Sequence, residues 1–130
     1  MSLLDNLFHA HHPHIHPDWK VLDTLDQWEG LMADSHQRPV VLFKHSVRCG
    51  ISSMALHQLM EGWNFPVGAF DFYYLDLIHH RDISNHIAQA LGVVHQSPQM
   101  IIVKNGKAVY DTSHHKVHAR QLGEALKSVA

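Results

Sequence analysis

The 130-residue chain contains one cysteine. That excludes a disulfide framework within the chain, and it is too few for a zinc site built from thiolates. Long apolar runs are missing as well, since none approaches the roughly 18 residues that a membrane-spanning helix requires. Met1 to Ala10 lacks the basic region and apolar stretch of a secretory signal, so the chain is expected to be cytoplasmic. An excess of either charge is also absent. Ten basic and twelve acidic side chains leave a formal net charge of -2, which is not the footprint of a nucleic-acid binder. What remains is 45% hydrophobic and 17% charged, the composition of one folded domain with its own core.

Histidine is the residue in excess. Fifteen are present, five of them between His9 and His16 with Pro13 and Pro17 interleaved. Neutral imidazoles bind zinc, nickel or copper, and metal storage by these histidines is one functional reading. Two prolines in so short a tract argue against a preorganised site. Residues 1–17 are therefore read as a flexible leader with adventitious metal affinity, residues 18–130 as the domain, and no metal site is assigned.

Along the domain, Trp19 to Leu22 has the form of a short edge strand. Thr24 and Gln27 have capping-box spacing, and Leu25, Trp28, Leu31 and Met32 recur at helical spacing up to about Ser35. Val40 to Phe43 is a continuous apolar run, the pattern of a strand covered on both faces. From Ser53 the period turns helical through Met54, Leu56, Leu59, Met60 and Trp63. Phe70 to Ile78 reads as a second strand, and Ile83, Ile87, Ala90 and Leu91 line a helix that Gly92 can end. Gln99 to Val103 is a strand, Asn105-Gly106 is a hairpin turn, and Leu122, Ala125, Leu126 and Val129 mark a closing helix. Strands separated by helices imply parallel crossovers, with an antiparallel edge added by the hairpin. The expected fold is α/β: a four-stranded mixed sheet flanked by helices, with an extra N-terminal helix, in the thioredoxin-like arrangement.

A lone cysteine is either a small buried hydrophobe or a functional thiol. Cys49 stands where a buried strand gives way to a helix, and backbone N–H groups at a helix start favour a thiolate. Arg48 beside it and Lys44 at the strand end would add positive potential. Cys49-Gly50-Ile51-Ser52 has the spacing of a C-x-x-C redox motif with serine in the second position. Ser97-Pro98 follows roughly fifty residues later, before a strand, where thioredoxin-fold proteins carry a cis proline against the active cysteine.

The segment Phe43 to Ala55 resembles the active-site stretch of the YtxJ-like monothiol bacilliredoxins, and His95-Gln96-Ser97-Pro98-Gln99 is similar to that family's proline segment. The likeness runs from about Trp19 to the C-terminus. It implies a monothiol thiol–disulfide oxidoreductase in which Cys49 removes bacillithiol, a low-molecular-weight thiol, from protein mixed disulfides. Lys44 and Arg48 would hold the carboxylates of bacillithiol, Ser97 would pair with its amide, and Ser46, Gly50, Ser52 and Pro98 complete the expected thiol-binding set. No tightly bound cofactor is expected; the partners are a small thiol and thiolated proteins, with neither nucleic acid nor membrane, and the state is a monomer or weak dimer. One departure stands out. The family usually has proline after the cysteine, and Gly50 makes the motif similar to the Cys-Gly-Phe-Ser of monothiol glutaredoxins. That likeness implies the alternative, a [2Fe–2S] carrier using Cys49 of two protomers and two small thiols.

Overall fold

The computed structural model describes residues 14–130. In chain order the elements are β1 (Lys20–Val21), α1 (Asp26–Asp34), β2 (Val40–His45), α2 (Gly50–Glu61), β3 (Asp71–Asp76), α3 (Arg81–Leu91), β4 (Gln99–Lys104), β5 (Lys107–Ser113) and α4 (Ala119–Ser128). A 3₁₀ turn at His114–Lys116 precedes α4. The capping box forms at the start of α1. Gln27 Oε1 accepts from the Thr24 N–H at 3.0 Å, and Thr24 Oγ1 accepts from the Gln27 N–H at 3.4 Å.

The sheet order is β1-β3-β2-β4-β5, five strands rather than the four expected. The fifth is the short edge strand read around Lys20, which pairs in parallel with β3 through Lys20–Tyr73 and Val21–Tyr74. All six residues of β3 are buried, so its outer edge needs a hydrogen-bonding partner. β1 supplies part of it, and the Leu22 N–H extends the pairing to the Tyr74 carbonyl at 2.8 Å.

A second expectation is also corrected. β2 and β3 are parallel, joined by α2, but the helix between β3 and β4 does not lead to a parallel strand. β4 lies on the far side of β2 and runs antiparallel to it, with Lys44 opposite Gln99 and Val40 opposite Val103. The cause is the exit from α3. Gly92 takes a left-handed φ of 67°, open to glycine without strain, and residues 93–98 return the chain to the sheet end where β2 finishes. β4 therefore starts beside the end of β2.

Alternation along the strands divides the core in two. Val41, Phe43, Phe72, Tyr74, Met100 and Ile102 face α2 and α4, meeting Leu59 and Leu122. Val40, Leu42, Tyr73, Leu75, Ile101 and Val103 face α1 and α3, meeting Leu31 and Ile87. At the opposite end of the sheet from Cys49, Asn105 and Gly106 both take positive φ, 53° and 75°, as a two-residue hairpin turn demands. Most of the residue 1–17 leader lies outside the described residues. Its described end is joined to the domain, because Ile15 packs on the core and the His16 ring lies 5.3 Å from that of Trp63.

Trp19 anchors this N-terminal edge. It is buried, with ring centres 4.5 Å from Phe72 and 5.4 Å from Trp63. Trp19→Ala is expected to destabilise the domain by about 3–5 kcal/mol, read from urea unfolding followed by far-UV circular dichroism. An unchanged midpoint would show that the β1 edge is not part of the cooperative core.

Candidate active site

The site is built where β2 runs out. Beyond His45 the chain turns through Ser46, Val47 and Arg48, and the Cys49 N–H closes the turn onto the Ser46 carbonyl at 3.2 Å. Cys49 itself is extended, φ -108° and ψ 122°, the N-cap position of α2. Its carbonyl accepts the first helical bond, from the Ser53 N–H at 3.0 Å. A side chain at this position faces N–H groups that have no partner within the helix.

That placement lowers the pKa of the half-exposed Cys49 thiol. The Ser52 N–H contributes most; burial works against it, and the Ile51 N–H and Ser52 hydroxyl add to the lowering. The groups that lower it are neutral N–H and O–H dipoles around the sulfur.

Ser52 is fully buried, and its hydroxyl lies 3.3 Å from that of Ser97. The Ser97–Pro98 peptide bond is cis. The Pro98 carbonyl accepts from the His114 N–H at 3.0 Å, so residues 97–98 are held between the first turn of α2 and the 3₁₀ turn. The antiparallel pairing of β2 and β4 is what brings the proline segment to the cysteine end of the sheet.

Two of the expected thiol-binding residues, Lys44 and Ser46, are placed differently. Lys44 is completely buried on the α3 face, its Nζ donating to the Ser84 carbonyl at 3.1 Å and lying 3.3 Å from His95 Nδ1. It cannot hold a substrate carboxylate at the surface, because strand alternation turns it into the core. Burial lowers its pKa to about 8. Ser46 is buried and serves the turn through its backbone carbonyl. Arg48 is exposed and free to meet an anion, but it is not among the groups that lower the thiol. Gly50 is the exposed first residue of α2.

A second group of polar residues lies beneath the site and leaves no local pattern in the sequence. His45 is buried, with Nδ1 3.0 Å from the Tyr74 hydroxyl. Burial lowers its pKa to about 4, against the opposing charge of Asp76 and the backbone of Ser52, so the imidazole is neutral at physiological pH. Burial, then Asp76, raises the Tyr74 phenol. Asp76, also buried, accepts from the Ile78 N–H at 3.1 Å and lies 2.7 Å from His79 Nδ1. Among the described residues no three side chains are grouped as metal ligands, and no helix is long and apolar enough to cross a membrane.

Two outcomes follow from this geometry. A lowered thiol pKa keeps the thiolate populated as pH falls below the ordinary value of about 8.5. Iodoacetamide alkylation of Cys49 should therefore decline only at lower pH, and Ser52→Ala should move that profile upward partway, because the backbone N–H that contributes most remains. A profile unmoved by the substitution would remove the hydroxyl from the account. Gly50 bears on the family's usual proline. A Cβ there meets nothing within 4 Å, the residue is not among those with positive φ, and the first helical position suits proline. Gly50→Pro is expected to stabilise the fold by about 0.4–1 kcal/mol through the unfolded chain and to leave the alkylation profile in place. A thermal melt and the same titration check both.

Similarity to known proteins agrees with this site. The family model for monothiol bacilliredoxin BrxC matches residues 20–122. A candidate oxidoreductase of thioredoxin fold is 31% identical, with a TM-score of 0.69, over 83% of this chain and 93% of that one. The thioredoxin of Malassezia sympodialis is similar in fold at 19% identity and a TM-score of 0.68, over 92% of this chain and 97% of its own. That of Fasciola hepatica is similar at 19% and 0.65, over 84% and 97%. A half-exposed cysteine at a helix start, a proline segment beside it and a match across most of the domain lead to one conclusion: the chain belongs to the monothiol bacilliredoxin BrxC family of thioredoxin-fold thiol–disulfide oxidoreductases.

Proposed function

We propose that Cys49 is the nucleophile that strips bacillithiol from protein mixed disulfides in the cytoplasm. The observation that carries this reading is the position of the only sulfur nucleophile in the chain, half-exposed and facing the free N–H groups of α2. The Cys49 thiolate attacks the bacillithiol sulfur of a protein–S–S–bacillithiol bond. That bond breaks, the protein thiolate leaves and takes a proton from water, and a Cys49–S–S–bacillithiol bond forms. A second thiol from outside the chain attacks the bacillithiol sulfur of this bond, forms a new disulfide with it and releases the Cys49 thiolate, since Ser52 has no sulfur with which to do so.

Other features support the same reading. The Ser52–Ser97 contact places hydrogen-bonding groups of α2 and of the proline segment side by side, where an extended thiol substrate can pair with the backbone before Pro98. Ile51 and Met54 on α2, 41% and 56% exposed, and Val94 at 79% offer apolar surface for a polypeptide substrate. Arg48 is the exposed cation nearest in sequence to the sulfur and suits the carboxylates of bacillithiol.

Intact-mass spectrometry tests the proposal. Incubated with bacillithiol disulfide, the protein should gain one bacillithiol adduct, at Cys49. Cys49→Ser should gain none. Ser52→Ala should slow adduct formation about tenfold, the lower end of the roughly 1.5–3 kcal/mol that one hydrogen bond to a charged group is worth. A wild type that stays unmodified while iodoacetamide alkylates Cys49 freely would refute bacillithiol as the exchanging thiol.

A further inference from the structure

Lys44 has no carboxylate partner among the described residues, although its side chain is completely buried. An ammonium in such a place is strongly unfavourable unless hydrogen bonds replace its water. It has two acceptors, the Ser84 carbonyl in α3 at 3.1 Å and His95 Nδ1 in the return segment at 3.3 Å. The Ser84 hydroxyl lies 3.2 Å from the same imidazole nitrogen. One buried cation thus joins the end of β2 to α3 and to the residue two places before Ser97. A second tie comes from Gln99, whose side-chain amide donates to the Val94 carbonyl at 2.9 Å.

We propose that Lys44 and His95 form a positioning pair that fixes the Ser97–Pro98 segment against Cys49 for the exchange step, without setting the ionisation of the thiol. An ammonium has only donors, so the Nδ1 it meets must accept, and His95 is neutral with its proton on Nε2. The charge pattern is consistent with this arrangement. Burial, Lys44 and Arg81 lower the pKa of His95, and burial leaves that of Lys44 at about 8, so at neutral pH one partner is mainly charged and the other neutral. Cys49 takes most of its stabilisation from the N–H groups of Ser52 and Ile51, which neither member of the pair touches. Thiol ionisation therefore depends chiefly on backbone groups outside the pair, and the Ser52 hydroxyl beside Ser97 is the one smaller contribution shared with the proline segment. The role holds whichever small thiol is exchanged, and rests only on thiol–disulfide exchange at Cys49.

The test separates these two functions. The probe is a cysteine peptide capped as a nitrothiobenzoate mixed disulfide, whose exchange is read from the absorbance of the released thiol. His95→Leu should lower the second-order exchange rate about tenfold, the scale of a lost hydrogen bond to a charged group, while the iodoacetamide alkylation profile stays in place. His95→Asn, whose side-chain oxygen can replace Nδ1 as the acceptor, should restore most of the rate. Lys44→Met should reproduce the His95→Leu loss, and the double variant should lose no more than either, as expected for one interaction. Long-range ¹H–¹⁵N spectra of the wild type should show His95 protonated on Nε2. Exchange unchanged in His95→Leu, alkylation falling in parallel with exchange, or a proton on Nδ1 would each overturn the pair. A wild type inert toward the peptide disulfide would overturn the exchange reading itself, and this role with it.

Discussion

Strand β2 is paired along both edges and covered on both faces, so all six of its residues are buried. A strand in that position can end only in ways that satisfy its last polar groups, and here it ends in lysine and histidine. Each finds a partner on its own side of the sheet, although the buried His45 Nε2 has none among the described residues. Lys44 turns toward α3 and is held by Ser84 and His95, while His45 turns toward Tyr74. The strand then reaches the surface at a turn closed by Ser46 and Cys49, and the cysteine is presented at the first free position of α2. The thiol owes its location to the burial of the strand that leads to it.

The chemistry at the sulfur follows from neutral dipoles more than from charge. Burial of a thiol opposes ionisation, and at Cys49 it does so, yet the N–H groups of Ser52 and Ile51 outweigh it. Such donors are fixed by the helix and need no reorganisation when negative charge develops. The lysine that sequence proximity placed at the sulfur instead holds together the scaffold around it. The imidazole of His45 is kept neutral by its burial.

Much of the architecture was legible because its signals are local. The apolar run from Val40, the capping box at Thr24, the Asn105-Gly106 turn and the helical spacing of Leu122, Ala125 and Leu126 each require only neighbouring residues to be read. The edge strand at Lys20–Val21 is legible as well, but its pairing with β3, which makes the sheet five-stranded, is not, and neither is the antiparallel direction of β4, which follows from where residues 93–98 bring the chain back. Neither pairing is written in the periodicity of the strand concerned.

The same division applies to the site. The sequence by itself determined that there is one sulfur nucleophile, that it falls where a buried strand becomes a helix, and that a Ser-Pro pair precedes a later strand, because strand burial and helix starts leave a pattern within a few residues. Only the tertiary structure decided which polar residues stand around it. Ser52 meets Ser97 across 45 positions of chain, and Lys44 meets His95 across 51. A one-residue step along β2 sends Lys44 and His45 to opposite faces of the sheet, and which face meets which helix is settled by packing, which leaves no mark on the two side chains themselves.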